Sequence, residues 1–473
     1  MSKILKQTAL YSIGEIIPKI IGFVLLPVYT HYLSTKDYGI FSYTNSVVMF
    51  LFVLSALSLN SFVLRSYYEL KTDEERRRLI GNVFLFVMFV NIALLLCGFA
   101  LIPHLIAYYK VQIPWEPYFK LAVVNNSLEL FSVIPLVMFR VKQQAKYFVL
   151  LSLSRVLIQF GFTYYFIVIQ GSGLIGSYLG QFYPLAGFFL IYWLIMIRNV
   201  KLNVNLKQIK EGLKFSLPLL PGALAYLALS FSDRIILERY VAINEVGVYN
   251  VAFILCSSLN IIIQSGYKAI EPEIFKRFNS PDFATFIKQA QSIFFVFLYS
   301  GALFLTLFSQ DVFKYMTSEN FHKGYLVVPL IMVGVIMTGQ NVIYGGILTA
   351  EKKTKIIGLA TMFGAITSVC FNLILIPHFG VYAAAFSSAF SFGVMNFILY
   401  YKMNFAEKEI KTELLALAVF ILIAGFLFYG LKVEVSIKTM LMKAGIFALY
   451  VVFLVKIFKI WTYLFKRRHV QTT

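Results

Sequence analysis

The sequence predicts an all-α integral membrane protein with about fourteen transmembrane helices. The 473 residues are 59% hydrophobic and only 14% charged, whereas soluble domains contain about 25% charged residues. The apolar residues fall in blocks of roughly 18–24, the length that a helix needs to cross about 30 Å of hydrocarbon. Lipid offers no hydrogen-bond partner to an open backbone, so these blocks are expected to be helical. The short alternating segments of a transmembrane β-barrel do not occur in the sequence.

Each apolar block is assigned to one membrane span, with its ends placed to within several residues. The predicted spans are 9–30, 39–64, 81–103, 118–139, 148–169, 175–197, 215–238, 246–268, 289–309, 325–350, 357–376, 382–401, 413–431 and 440–462.

The basic residues of the loops predict the orientation of the chain. With the N-terminus in the cytoplasm, the cytoplasmic loops hold about four times as many Lys and Arg residues as the outer loops. Both termini are therefore predicted to be cytoplasmic. The net charge of +20 belongs to these loops, so membrane lipids rather than nucleic acid are the expected partners.

The loops and the reactive residues argue against an enzyme. Every predicted outer loop is short, which leaves no room for a catalytic domain outside the membrane. The three cysteines lie inside apolar blocks and the five histidines lie at span ends, and their spacing suits neither a metal site nor a disulfide. We therefore expect no catalytic residues, no metal and no cofactor, while a coupling ion, H⁺ or Na⁺, stays open.

An internal repeat divides the chain. Residues 37–41 match residues 245–249 at an offset of about 208, and 173–177 match 380–384 at nearly the same offset. A weaker match links the basic loops at 143–146 and 351–355. Each Gly-containing match precedes a span after a short outer loop.

The repeat predicts two six-helix lobes, 1–205 and 206–405, followed by two extra helices and a basic cytoplasmic tail in 406–473. Because each lobe contains an even number of spans, the two lobes are expected to be parallel repeats. Such repeats are related by a pseudo-two-fold axis along the membrane normal. Two lobes of this kind around a central cavity are typical of a transporter.

Several short motifs resemble a known family. They are Tyr11–Gly14, Leu25–Tyr29, Leu33–Phe41, Leu217–Gly222, Ser232–Arg234, Ala350–Thr354 and Pro377–Gly380. In this order and spacing they resemble Wzx-type polysaccharide flippases of the multidrug/oligosaccharidyl-lipid/polysaccharide exporter superfamily.

The resemblance implies transport of undecaprenyl-pyrophosphate-linked oligosaccharide repeat units from the inner to the outer leaflet. The product would feed the biosynthesis of O-antigen, lipopolysaccharide, capsule or exopolysaccharide. The implied partners are the lipid-linked substrate, membrane lipids and other membrane proteins of polysaccharide assembly.

Ionisable residues inside predicted spans are candidates for substrate contact, because such a residue costs about 2.5–3.5 kcal/mol at a helix centre. The candidates in the first, fourth, fifth and seventh spans are Glu15, Lys19, Glu129, Arg155, Asp233 and Arg234. The three cations lie at three depths and could pass a pyrophosphate across the membrane.

The same residues also have a structural interpretation. Glu15 and Lys19 have the i, i+4 spacing of a helical salt bridge, and Glu129 could pair with Arg155 at a similar depth on the next helix. Asp233 and Arg234 are adjacent in sequence and are predicted not to share a face. Arg234 is therefore expected to be the cation least neutralised by its neighbours.

Prolines lie at the start of both predicted lobes. Pro18 and Pro27 fall in the first span, and Pro218 and Pro221 fall in the seventh. Each removes a backbone donor and favours a kink. A gate between the lobes and a static kink are both consistent with these positions.

Three other functions stay open as alternatives. A multidrug exporter of the same superfamily would need carboxylates without nearby cations to bind cationic drugs. A lipid II flippase would differ only in the shape of its cavity. A membrane-embedded polysaccharide polymerase would need a sizeable catalytic outer loop.

Overall fold

The computed structural model describes residues 14, 16–18, 20–404, 410–430 and 435–460. Within these ranges the chain forms helices, turns and short connections, with no β-strand. Among the described residues, twelve helices are long and apolar enough to cross a membrane. The predicted all-α, multi-pass membrane fold is confirmed.

The helices follow one another with short connections. They are α1 (Leu26–Tyr32), α2 (Thr35–Glu69), α3 (Asp73–Tyr109), α4 (Trp115–Val141), α5 (Ala145–Ile169), α6 (Gly173–Asn199), α7 (Leu206–Tyr240), α8 (Ile243–Arg277), α9 (Phe283–Met316), α10 (Glu319–Ala350), α11 (Thr354–Lys402), α12 (Lys411–Tyr429) and α13 (Ile437–Ile457).

Helix α11 contains two membrane passes. Its 49 residues would extend about 73 Å as one straight helix, more than twice the hydrocarbon thickness. The chain instead reverses at Gly380, where φ is 54°, a value that glycine adopts without strain. Lys353 Nζ, just before the helix, donates to the carbonyl oxygen of Lys402 at 3.1 Å. The two ends of α11 therefore lie side by side. With α11 counted as two arms, every predicted span from the second to the fourteenth has its own helix or helix arm.

Capping explains why several helices begin a few residues before the predicted apolar blocks. At the start of α2, Ser34 Oγ accepts from the Asp37 backbone N–H at 3.1 Å, and the Asp37 carboxylate accepts from the Ser34 N–H at 3.2 Å. Thr72 and Glu75 form the same reciprocal pair at the start of α3. These capping boxes satisfy backbone donors that have no partner within the helix.

The described residues belong to two compact units, Met1–Gly247 and Val248–Thr473. The first contains α1 to α7 and the first turn of α8. Helix α7 belongs to this unit because it packs along α2. The lobe boundary at 205/206 stays a prediction, and the boundary at 405/406 falls outside the described residues.

The segment that follows α6 is fixed to the start of α3 within the first unit. Asn82 Nδ2 donates to the Asn205 carbonyl oxygen at 3.0 Å, and the Asn205 N–H donates to Asn82 Oδ1 at 3.1 Å. A Cβ atom on Gly81 would lie 2.8 Å from the carbonyl carbon of Lys201, so only glycine allows this close approach.

Glycines of the repeat meet at the first turns of α2 and α8. A Cβ atom added to Gly39 would lie 2.9 Å from the Ile243 carbonyl carbon, and one added to Gly247 would lie 2.8 Å from the Gly39 nitrogen and overlap the Thr35 carbonyl oxygen. The contact is reciprocal, because Thr35 and Gly39 correspond to Ile243 and Gly247 in the repeat. Small residues allow two helix turns to approach each other this closely.

Candidate functional site

The predicted residues of the first span are described only in part. Glu15 and Lys19 lie outside the described residues, so their ion pair and their role in substrate binding stay predictions. Pro18 lies within the described residues and is half-buried. Pro27 occupies the first turn of α1, directly after a helix interruption at Leu25.

Glu129 on α4 and Arg155 on α5 form an ion pair in the first unit. Arg155 Nη1 lies 2.9 Å from Glu129 Oε1, and the two side chains are 17% and 45% exposed respectively. The pairing is the one considered in the structural interpretation of the sequence. It arises because consecutive antiparallel helices bring residues of similar depth together.

The pair retains unused hydrogen-bonding capacity. Within the described part of the chain, the Arg155 guanidinium makes one hydrogen bond, to Glu129. Its other N–H groups have no acceptor there. Tyr192 on α6 lies close to both residues. Its side chain is 2% exposed, and its hydroxyl has no hydrogen-bond partner among the described residues. A guanidinium with free donors beside an unsatisfied hydroxyl is suited to binding an anionic, oxygen-rich group.

Asp233 and Arg234 on α7 differ from the sequence-based expectation. Asp233 Oδ1 lies 2.9 Å from Arg234 Nη1, and the side chains are 2% and 1% exposed. Arg234 Nη1 also donates to the Ser230 carbonyl oxygen one turn earlier, at 3.0 Å. The prediction that Arg234 is not neutralised by its neighbour is wrong, because the long arginine side chain curls back around the helix. A substrate role for either residue stays a prediction.

Pro218 and Pro221 lie at an interruption of α7. A short 3₁₀ turn, Leu217–Leu219, separates the helical segments Leu206–Ser216 and Leu220–Tyr240. Pro218 lies in that turn and Pro221 in the first turn of the second segment. A gating role for these prolines, as for Pro18 and Pro27, stays a prediction.

A buried ion pair in the second unit is not among the candidates that the sequence predicts. Lys443 Nζ on α13 lies 2.6 Å from Asp311 Oδ2 on α9, and both side chains are 6% exposed. Lys443 lies inside the predicted span 440–462, so its position alone could have marked it as an ionisable residue within the membrane. Asp311 lies just beyond the predicted end of its span at 309.

A second missed cluster surrounds Glu413 at the start of α12. Tyr344 donates to Glu413 Oε2, and Gln340 Nε2 donates to the same oxygen at 2.8 Å. Gln340 Oε1 in turn accepts from Asn396 Nδ2 at 2.9 Å. The cluster joins α12 to α10 and to the second arm of α11 through buried polar groups, which membrane helices use to hold their neighbours.

The second unit also contains an apolar cavity of about 630 Å³ between α10, the second arm of α11 and α12. Met337, Phe390, Phe397 and other apolar side chains line it. Gly393 and Gly425 are part of the lining, and a Cβ atom at either position would meet no atom within 4 Å. The cavity has the size of a typical small-molecule site, about 300–1,000 Å³, but almost no polar group to orient a polar ligand.

No metal-binding cluster is present in the described ranges. They contain no group of three or more His, Cys, Asp or Glu side chains that could hold a metal ion. Cys97, Cys256 and Cys370 are free thiols.

Comparison with known proteins identifies the family and the fold. The sequence model of the family described as "Polysaccharide biosynthesis protein" matches residues 4–278. No curated protein sequence matches the chain.

Solved structures match the chain over most of its length. A lipid II flippase, MurJ, in an inward closed conformation is 15% identical, with a TM-score of 0.71 over 98% of this chain and 100% of that chain. An inward-facing multidrug resistance MATE family transporter of the MOP superfamily is 13% identical, with a TM-score of 0.68 over 82% of this chain and 95% of that chain. At this identity the matches establish the fold, which is one that flippases and transporters use.

Proposed function

Because the chain belongs to the family of polysaccharide biosynthesis proteins, we propose that it is a flippase for undecaprenyl-pyrophosphate-linked oligosaccharide repeat units. It carries them from the inner to the outer leaflet of a bacterial cytoplasmic membrane, with both of its termini in the cytoplasm. The product serves the assembly of O-antigen, lipopolysaccharide, capsule or exopolysaccharide. The protein moves its substrate without chemical change and is not an enzyme.

The single observation that supports this proposal best is the ion pair of Glu129 and Arg155. Arg155 remains protonated at any physiological pH, and its free N–H groups can bind a phosphate oxygen while Glu129 holds the guanidinium in place. The unsatisfied Tyr192 hydroxyl adds a donor or acceptor for a sugar hydroxyl or a phosphate. This site therefore receives the pyrophosphate and the first sugar of the substrate.

The apolar cavity of the second unit provides a place for the polyprenyl tail. Its aromatic and methionine side chains suit a branched hydrocarbon chain, and the bare backbone at Gly393 and Gly425 leaves room for the methyl branches. Binding of the tail there requires no polar contact, which agrees with the lining.

Transport proceeds by alternating access of a head-group site to the two sides of the membrane. Two negative charges moving outward travel down the membrane potential, which contributes on the order of 4–5 kcal/mol at 100 mV. Exchange against H⁺ or Na⁺ would add to this driving force.

The direct test is transport in proteoliposomes with a fluorescent undecaprenyl-pyrophosphate oligosaccharide, scored by accessibility to a membrane-impermeant quencher. Arg155→Ala removes charged hydrogen bonds of about 1.5–3 kcal/mol each, so the rate is expected to fall roughly 10- to 150-fold. Arg155→Lys should retain part of the activity, and Arg198→Ala, which removes an exposed arginine in the last turn of α6, should retain all of it. Wild-type rates in Arg155→Ala would exclude this residue from the site.

Parallel reactions separate the alternatives. Failure of the wild-type protein to move the labelled oligosaccharide lipid would overturn the proposed function. Faster movement of lipid II, or transport of a lipophilic cation, would identify a lipid II flippase or a multidrug exporter instead. Formation of a longer glycan would identify a polymerase.

The tail site has its own test. Gly393→Phe fills the cavity, so it is expected to slow transport of the full-length polyprenyl substrate more than that of a short-chain analogue. Gly358→Phe is the matched control, because a Cβ atom at Gly358 also meets nothing within 4 Å but the residue does not line the cavity. Equal effects of the two substitutions would contradict the tail site.

A further inference from the structure

A second apolar cavity, of about 430 Å³, lies in the first unit between α2, α3 and α7. It has no part in the proposed transport mechanism. Its lining consists of Tyr43, Val47 and Phe50 on α2, four side chains of the last turns of α3, and Val111, Phe119, Ile235, Glu238 and Arg239.

The lining residues give the cavity the shape of a groove along the helix axes. Tyr43, Val47 and Phe50 have the i, i+4, i+7 spacing of one helix face, and Ile102, Ile106 and Tyr109 have the same spacing on α3. Seven residues rise about 10 Å. The groove therefore begins at the ends of α3 and α7, on the side that the sequence predicts to be outer. It reaches about two thirds of the way through one leaflet of roughly 15 Å.

A cation lies at the mouth of the groove. Arg239 is exposed, and its Nη1 donates to the Tyr109 carbonyl oxygen at 2.8 Å, at the end of α3. Its other N–H groups make no hydrogen bond to the described residues. Glu238 beside it is only 5% exposed, and its Oε1 already accepts from the Gln112 N–H at 2.8 Å. With the exposed Lys110 nearby, the mouth is net positive and can bind a phosphate.

We propose that this groove binds one glycerophospholipid of the bilayer, with an acyl chain against α2 and α3 and its phosphate on Arg239. An apolar groove beneath a cation at the depth of the head groups matches the two parts of such a lipid. A polyprenyl substrate fits less well, because its chain is several times longer than the groove. The bound lipid stabilises the packing of α7 on α2, so the arrangement of these helices depends on the lipids present.

The test is lipid binding to the purified full-length protein in detergent, measured by native mass spectrometry and by thermal unfolding. We expect one molecule of phosphatidylglycerol or phosphatidylethanolamine to bind, and diacylglycerol, which lacks the phosphate, to bind at least tenfold more weakly. Arg239→Gln should weaken phospholipid binding about tenfold or more, as expected for loss of a charge-assisted bond. Val47→Phe should block the groove without changing its mouth.

Two control variants are matched to these changes. Arg198→Gln removes an exposed arginine elsewhere in the first unit, and Leu190→Phe enlarges an exposed apolar residue of α6. Both should bind phospholipid as the wild type does. Unchanged binding in Arg239→Gln and Val47→Phe, or equal binding of diacylglycerol by the wild type, would overturn the proposal. Displacement of the phospholipid by an equal concentration of undecaprenyl phosphate would overturn it in favour of a substrate-tail site.

Discussion

Replacing Gly39 with alanine tests the close approach of α2 and α8 directly. The new methyl group would lie 2.9 Å from the Ile243 carbonyl carbon and closer still to its oxygen, whereas ordinary contacts begin at 3.4 Å. Because the oxygen is the closer atom, the two helix turns must separate by more than about one ångström, and neither atom belongs to a flexible side chain that could move aside. The substitution destabilises the arrangement in which the turns touch.

The size of the effect follows from the cost of overpacking. An extra methyl group in a well-packed site costs about 1–3 kcal/mol. A protein that alternates between two arrangements would shift its equilibrium away from the one with the contact by about 5- to 150-fold. Gly161→Ala is the matched control, because a Cβ atom there meets nothing within 4 Å and the change should stabilise α5 by about 0.5–1 kcal/mol.

The assay is the distance between spin labels at Lys36 and Asn244, two exposed residues beside the contact, measured in a variant without native cysteines. The parent protein should show a short-distance population that Gly39→Ala depletes and Gly161→Ala leaves unchanged. An unchanged distance distribution in Gly39→Ala would refute the argument from close packing.

Two further predictions concern charged groups away from this contact. Asp311→Ala leaves Lys443 buried without its counter-ion and is expected to cost about 3–5 kcal/mol of stability, read as a large fall in thermal unfolding temperature. The double variant Asp311→Leu, Lys443→Met should recover most of that loss, and equal instability of both variants would contradict the reasoning. Lys142, in the loop after α4, has a lowered pKa because of burial and, second, the positive charge of Arg77, with Asp73 acting in the opposite direction. The folded protein thus releases this proton at lower pH than the unfolded chain, so stability rises with pH between the lowered pKa and the ordinary lysine pKa. Lys142→Gln should reduce this rise when the free energy of unfolding is measured across alkaline pH. The same pH dependence in Lys142→Gln and wild type would contradict the assignment.

The fold could be predicted from the sequence because the membrane imposes simple rules on the backbone. Apolar blocks long enough to cross the bilayer must be helical, so the order of helices follows from hydropathy alone. The reversal within α11 was also predictable, because Gly380 separates two blocks and belongs to a repeated turn motif. The extended helix ends were missed because caps such as Thr72 and Glu75 are polar and lie outside the apolar blocks.

The candidate site was only partly predictable, because side-chain geometry decides which charges meet. Glu129 and Arg155 lie on consecutive helices, so their depths in sequence were enough to bring them together. Asp233 and Arg234 were misjudged because helix-face arguments place the Cβ atoms but do not limit where a long side chain ends. Asp311 and Lys443 are 132 residues apart, and nothing in local periodicity indicates which distant helices are neighbours.

The reciprocal contact of Gly39 and Gly247 has the form of an isologous interface. In a two-fold dimer of single repeats, the same glycine of each copy would form one half of the contact. A single substitution would then place two methyl groups in the contact. In the fused chain the halves are encoded separately, so each substitution perturbs one half. Once the first methyl group has separated the helices, the second finds the space already open. Gly39→Ala and Gly247→Ala should therefore have similar single effects, and together an effect smaller than their sum.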